Sequence, residues 1–172
     1  MAQRRFGVEV GKKLPSAAVS VVRHDGEGWK NEIVDTSEYL ANKTVVLVGY
    51  PGAFTPTCMQ QHIPGYIASA TQITSGGADE IIAMSVNDPF VVTAFADKLD
   101  GKQLVNYMAD GNGEFTKALG LDFDLSAVQL GDVRAKRFSM VVKNNTVVHF
   151  NNEDGPKATE ISDAKTIIGQ LQ

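Results

Sequence analysis

Apolar residues gather along this chain in two ways, and each predicts an element. Two continuous β-branched runs, Thr44-Val45-Val46-Leu47-Val48-Gly49-Tyr50 and Glu80-Ile81-Ile82-Ala83-Met84-Ser85-Val86, leave no polar face. Such runs fit strands covered by helices on both sides. Between them Met59, Ile63, Tyr66, Ile67 and Ala70 recur at the spacing of one helical face. Strand, helix and strand in that order predict a parallel pair joined by a crossover. Downstream, Asp88 can cap and Pro89 can open a helix bearing Phe90, Val91, Ala94, Phe95 and Leu99, with a short strand after it at Leu104 to Met108. Phe138 to Val142 and Thr146 to Phe150 flank Lys143-Asn144-Asn145. Asn tolerates the positive φ of a tight turn, so these runs predict an antiparallel hairpin. Ser162 is placed to cap a last helix with Ile161, Ala164, Ile168 and Leu171 on its apolar face.

This order of elements resembles the thioredoxin-like fold, an α/β architecture with a mixed central sheet flanked by helices, to which the N-terminal segment adds a hairpin extension. No repeat appears, and Gly and Pro are scattered rather than gathered into a linker, so residues 1–172 are expected to form a single domain.

Composition narrows the function. With 16 Lys and Arg against 20 Asp and Glu, the formal charge of −4 excludes a general nucleic-acid or anionic-membrane binder and favours neutral small substrates or protein partners. No apolar run approaches the ~18 residues that span a bilayer, and the opening MAQRRFGVEVG turns polar before a signal-peptide core could form. A cytoplasmic, reducing compartment fits. An organelle fits equally if a transit peptide has been removed. The lone Cys58 rules out an intramolecular disulfide, a CxxC dithiol and a four-Cys zinc site. The chemistry calls for no metal and no cofactor.

The segment Pro51-Gly52-Ala53-Phe54-Thr55-Pro56-Thr57-Cys58 joins a buried strand to a helix. Thr55 suits the N-cap and Pro56 the first helical position, which puts Cys58 in the first turn. Unpaired backbone N–H groups and the positive end of the helix dipole favour a thiolate there. A free Cys is more often a small core hydrophobe. Position argues for the reactive reading, because Cys58 lies at the carboxyl edge of a parallel strand, where open α/β sheets place their sites. Gln61, three residues on, excludes a dithiol motif. Pro64, six residues on, excludes the phosphate loop of Cys phosphatases, which needs Arg there. His62 has two readings: a half-buried hydrogen-bonding residue, which we prefer, or the base of a Cys–His hydrolase, for which no third orienting group is apparent. Pro64 also removes a hydrogen bond and is expected to bend the helix beyond the Cys58 turn.

PGAFTPTC, HIPGY, SVNDPF and KRFSMVV, in this order, resemble the type II, or peroxiredoxin 5-like, branch of the peroxiredoxins, and the likeness runs from about Lys12 to Leu171. The resemblance implies a thiol peroxidase acting on hydrogen peroxide and small alkyl hydroperoxides. Cys58 would be the peroxidatic residue, Thr55 would hydrogen-bond peroxide and thiolate, Pro51 would shield the pocket, and Arg137 would complete the site. Without the resemblance, Arg137 would read as a solvated Arg at a strand end. The resemblance also implies a homodimer that uses Phe54 and the Asp88-Pro89-Phe90 turn; the same residues read equally well as ordinary core edge.

One departure changes the expected cycle. Animal-type relatives carry a second, resolving Cys where this chain has Ile161, and plant-type relatives carry one where it has Ile82-Ala83-Met84. The chain is therefore expected to work with one Cys, its sulfenic acid reduced by glutathione with glutaredoxin or by thioredoxin. Two other readings use the same residues: a redox sensor that passes a disulfide to another protein, and a noncatalytic interaction module. The full set of Thr55, Cys58 and Arg137 argues against the last.

Overall fold

The computed structural model describes residues 7–155 and 160–172; the opening MAQRRF lies outside them. In chain order the elements are β1 (Ala18–His24), β2 (Trp29–Asp35), α1 (Thr36–Tyr39), β3 (Thr44–Gly49), a π-helical turn (Cys58–His62) running into α2 (Ile63–Ser75), β4 (Glu80–Ser85), α3 (Pro89–Leu99), β5 (Asn106–Ala109), α4 (Glu114–Ala118), β6 (Asp122–Phe123), β7 (Arg134–Ala135), β8 (Phe138–Lys143), β9 (Thr146–Asn152) and α5 (Ala164–Gln170). Seven strands form one sheet in the order β2-β1-β5-β4-β3-β8-β9. β3, β4 and β5 are parallel, and the outer pairs are antiparallel. The mixed sheet is the expected one. The N-terminal hairpin is built into it, because β1 pairs with β5 through Ser20↔Ala109 and Val21↔Met108.

Two apolar layers explain why β3 and β4 lack a polar face. Val46 and Val48 pack with Tyr66, Ala70, Ile73, Phe95 and Ile167 on one side of the sheet. Val45 and Leu47 point the other way, toward Leu40, Phe115, Leu119 and Met140. Successive side chains of a strand alternate between faces, so a strand covered on both must be apolar throughout.

Several element ends differ from the pattern-based expectation, each for a local reason. The strand expected at Leu104 begins at Asn106, because the Val105 N–H is bonded to Asp100 Oδ2 at 2.8 Å instead of joining the ladder. Asp88 caps α3 as expected, accepting from the Phe90 and Val91 N–H groups. Asn144 and Asn145 take the positive φ of the β8–β9 turn. At α5, however, the cap is Asp163, whose Oδ1 accepts from the Thr166 N–H at 2.9 Å; Ser162 is buried one residue earlier and bonded elsewhere. The helix face shifts with it: Ala164 and Ile167 are buried, while Ile161 is 53 % exposed. Reciprocal amide bonds between Asn151 and Gln170 tie α5 to β9.

Just before Pro64, where a bend is expected, the helix opens with a π turn. Within it the Ile63 N–H reaches back five residues to the Cys58 carbonyl. In α geometry the Pro64 ring would meet the Gln60 carbonyl; widening the preceding turn relieves that clash, and π turns often mark functional sites.

Gly49 ends β3 against the ring of Phe138, and a Cβ added there would overlap that ring. Gly49→Ala is expected to destabilise the protein by about 3 kcal/mol, the upper part of the usual overpacking range. Urea unfolding of Gly49→Ala and of Gly49→Ala combined with Phe138→Leu checks this, the second change recovering part of the loss.

Candidate active site

The loop from β3 to the π turn is fixed before any catalytic group is considered. Pro51 and Gly52 are buried, and the Ala53 N–H donates to Asn87 Oδ1 at 3.0 Å, tying the loop to the SVNDPF turn. Phe54 holds a left-handed φ of 62° and sets its ring edge-on against Phe95. A Cβ on Gly52 would crowd Thr55 Cγ2 at 3.1 Å, so glycine lets the loop close this tightly. Arg134 braces the same region by donating to the carbonyls of Leu130 (2.6 Å) and Val86 (3.1 Å).

Helical structure begins at Pro56, and the Thr55 carbonyl accepts from the Met59 N–H at 3.0 Å, so Cys58 stands in the first turn as expected. The Thr55 hydroxyl differs from expectation: it donates to the Gly52 carbonyl at 2.7 Å. Its proton is thereby committed, and its lone pairs are left as acceptors. Cys58 is 1 % exposed and packs in the same apolar layer as Tyr66 and Val48. Cys58 is thus at once a core residue and a residue of the first helical turn.

What distinguishes Cys58 from an inert core thiol is Arg137. This side chain is also 1 % exposed, far from the solvated strand-end Arg that sequence alone would suggest. Its Nη2 donates to Cys58 Sγ at 3.2 Å and its Nη1 to His62 Nδ1 at 2.9 Å. A guanidinium keeps its charge at any working pH, and burying it costs several kcal/mol unless acceptors and an opposite charge compensate. A thiolate at Sγ is such a charge.

His62 is buried, not half-buried, and acts as a hydrogen-bonding residue. Burial, reinforced by the Arg137 charge, lowers its pKa to about 4, so the ring is neutral at physiological pH. With Nδ1 accepting from Arg137, the proton sits on Nε2, which donates to the Ser162 carbonyl at 3.1 Å. The Tyr66 hydroxyl donates to that carbonyl at 2.6 Å, and burial raises the Tyr66 pKa, keeping it a phenol. A neutral ring whose acceptor nitrogen is occupied by Arg137 does not serve as a base toward Cys58.

The structure thus brings together Cys58 and Arg137, with His62 behind Arg137, while Pro51 and Thr55 frame the preceding loop. Sequence reading missed Asn87 as the loop's anchor, took Tyr66 for a core residue and Ser162 for a helix cap without seeing their bonds around His62, and missed Glu153 altogether. Asn87 had a signal in its motif; the other three sit 8, 104 and 95 positions after Cys58 and had none. Among the described residues there is no cluster of His, Cys, Asp and Glu suited to a metal ion, and no helix is long and apolar enough to cross a membrane.

Residues 9–168 match the Redoxin family. Peroxiredoxin-2C of Oryza sativa subsp. japonica is 44 % identical over 95 % of this chain and 98 % of its own length. Reduced Prx3 in complex with H2O2 from Vibrio vulnificus is similar with a TM-score of 0.84 and 38 % identity, covering 95 % of this chain and 96 % of that one. Plasmodium falciparum antioxidant protein, a 1-Cys peroxiredoxin, aligns with a TM-score of 0.84 at 28 % identity over 94 % of this chain and 98 % of its own. Relatives named as mitochondrial and chloroplastic proteins match as well.

The state of His62 makes stability depend on pH. Its folded pKa lies below the unfolded value of 6.5, so the unfolded chain binds the extra proton first. This contribution is fully present above pH 6.5 and is lost as pH falls toward 4. By the linkage relation it is of order a few kcal/mol. His62→Gln, which keeps a donor and an acceptor but does not titrate, is expected to flatten the stability profile between pH 7 and pH 4.5. Urea midpoints of both proteins across that range provide the check; parallel profiles would contradict the assignment.

Proposed function

The chain belongs to the type II peroxiredoxins and is a thiol peroxidase, and from that premise we propose which residues perform each step and how the cycle closes. The observation that carries the reading is the buried pair of Cys58 Sγ and Arg137 Nη2 at 3.2 Å. In the first half-reaction the Cys58 thiolate attacks one peroxide oxygen. The S–O bond forms as the O–O bond breaks, sulfur loses two electrons, and the other oxygen leaves as hydroxide or alkoxide to be protonated. Charge moves from sulfur onto the leaving oxygen, so donors fixed along that line lower the barrier. Arg137 is such a donor. It needs no reorganisation, because packing and His62 already hold it.

Thr55 takes the complementary part. With its proton on the Gly52 carbonyl, Oγ1 accepts from the peroxide O–H and orients the O–O axis toward sulfur. Pro51, buried at the end of β3 and lacking an N–H, keeps the floor of the pocket apolar.

Peroxiredoxins take peroxides as substrates and thiols as reductants. For this chain the second half-reaction is expected to be intermolecular, since Cys58 is its single thiol. Glutathione attacks the sulfenic acid, expelling water and forming a mixed disulfide; a second thiol, delivered by glutaredoxin, releases Cys58 and oxidised glutathione. Thioredoxin could replace this pair by the same exchange. Phe54, 47 % exposed, and Phe90, 77 % exposed, are suited to a homodimer face. Residues 1–172 would act as one domain, and the cytoplasm suits it.

Cys58→Ser is expected to abolish turnover, because a serine hydroxyl stays protonated at neutral pH. Stopped-flow oxidation by peroxide tests this directly, and retention of a tenth of the activity would overturn the assignment. Arg137→Met and Thr55→Val are each expected to slow Cys58 oxidation by about 10²-fold, the first comparable to loss of one preorganised oxyanion contact and the second to misplacement of the bound peroxide. An unchanged second-order rate constant in either would remove that residue from the site. Intact mass after equimolar peroxide and then glutathione should show one adduct, lost on adding glutaredoxin or excess thiol; a thiol left unmodified by the peroxide treatment itself would refute the peroxidase role of Cys58. Under excess peroxide with scarce thiol, Cys58 should advance to the sulfinic acid and activity should fall.

A further inference from the structure

We propose that Glu153 is a positioning residue for peroxide reduction: it fixes the segment before α5 so that Ser162 holds His62, and His62 holds Arg137 against Cys58. The proposal rests on the peroxidase reading above and extends it to a residue 95 positions from the reactive Cys.

Glu153 follows β9 directly and lies on neither the Cys58 loop nor α2. One of its carboxylate oxygens, Oε1, accepts from three donors on one short stretch: the Ile161 N–H at 2.9 Å, the Ser162 N–H at 2.8 Å and the Ser162 hydroxyl at 3.0 Å. Three donors converging on one carboxylate oxygen are stronger than neutral bonds of the same geometry and leave the stretch little freedom. Its backbone binds the other side of the site, since the Glu153 N–H donates to the Arg137 carbonyl at 3.0 Å. One residue therefore fixes both the strand end that carries Arg137 and the carbonyl that orients the Arg137 partner.

The chain of contacts has a direction. Ser162 presents its carbonyl to His62 Nε2 at 3.1 Å, with its hydroxyl 3.3 Å from the same nitrogen. Those acceptors stabilise the Nε2–H tautomer, and only that tautomer leaves Nδ1 free to accept from Arg137. If the stretch shifts, the imidazole loses the contact that selects its tautomer. The Nδ1–H form would then point a proton at a guanidinium N–H, and Arg137 would be pushed off the line to Cys58 Sγ. Glu153 thus acts on the reaction without touching any reacting atom. Ile161, standing where animal-type relatives are expected to carry a second thiol, is held by its own backbone in this same clamp. Here the stretch supplies geometry instead of a thiol.

The test compares Glu153→Ala, Glu153→Gln and Glu153→Asp in the full chain. The readouts are the second-order rate of Cys58 oxidation by hydrogen peroxide and the ¹⁵N shifts of the His62 ring, assigned by their loss in His62→Gln. Glu153→Ala is expected to oxidise about tenfold more slowly, below the ~10²-fold cost of misplacing a reacting group by 1 Å. Its His62 signal should move from a single Nε2–H tautomer to a mixture. Glu153→Gln retains an oxygen acceptor for the same donors and should recover most of the rate together with the single tautomer. A Glu153→Ala protein that folds, reacts at the wild-type rate and keeps the wild-type tautomer overturns the proposal, as does a Gln variant as slow as Ala. If Glu153→Ala does not fold, Glu153→Asp decides: its shorter side chain withdraws the acceptor, and a wild-type rate with an unchanged tautomer again overturns the proposal. Failure of the peroxidase reading looks different, because the wild-type Cys58 would then itself fail to react with peroxide.

Discussion

A guanidinium inside an apolar layer imposes demands that the rest of the site answers. Arg137 is 1 % exposed, and the cost of removing it from water has to be met by acceptors placed around it. Cys58 Sγ and His62 Nδ1 supply two of them, and each is constrained as a result. His62 has to be neutral, since an imidazolium would put a second cation at 2.9 Å from the first. Cys58 meets a fixed positive charge at the site where a thiolate is needed. The same burial that makes Arg137 costly to place makes its field strong, because little water is present to screen it. Stability and reactivity therefore draw on one interaction.

The backbone around Arg137 is held as firmly as its side chain. The neighbouring Lys136 N–H donates to the Leu121 carbonyl at 2.7 Å, and the Arg137 carbonyl receives the Glu153 N–H. Immediately afterwards Phe138 enters β8 opposite Gly49, the last residue of the strand that leads to the Cys58 loop. The pairing of β3 with β8 thus brings Arg137 and the Cys58 loop to the same end of the sheet. The π turn before Pro64 completes the approach, letting Cys58 and His62 share one wide turn that a single guanidinium spans.

Much of this was legible in the sequence because it is written in local patterns. The doubly apolar runs of β3 and β4, the Asp88-Pro89 helix start and the Asn144-Asn145 turn each carry their cause within a few residues. Cys58 in the first helical turn follows from Thr55-Pro56 in the same way. What stayed hidden depends on pairs distant in the chain. Ser162 and Asp163 are adjacent and equally good caps on paper; Ser162 is withdrawn from that role by Glu153, His62 and Tyr66, none of which a local window contains. The start of β5 was misplaced for the same kind of reason, since Asp100 takes the Val105 N–H from the ladder. Nor does any periodicity show that Arg137 is buried. A long cation at a strand end is ordinarily solvated, and only the convergence of β8 with the Cys58 turn shows otherwise.

The burial that equips Cys58 to meet peroxide separates the two halves of its cycle. Hydrogen peroxide is scarcely larger than water, so a small opening beside Cys58 would suffice for it in the first half. If the reductant is glutathione or a thiol protein, as proposed, its sulfur has to come in line with the new S–O bond of a residue that is 1 % exposed. On that proposal the start of the helix has to loosen for the approach. At that helix start Pro64 offers no N–H, and the π turn before it replaces α-type bonds with a wider and less favourable ring. In the proposed cycle, oxidation would also remove the negative charge that a Cys58 thiolate presents to Arg137, since a sulfenic acid is neutral. A second thiol within the chain would not have to wait for such an opening by collision. In the proposed one-Cys cycle the rate of local opening would set how long the sulfenic acid stands exposed to the next peroxide, so the packing around Arg137 would bear both on how quickly Cys58 is oxidised and on how readily it is over-oxidised.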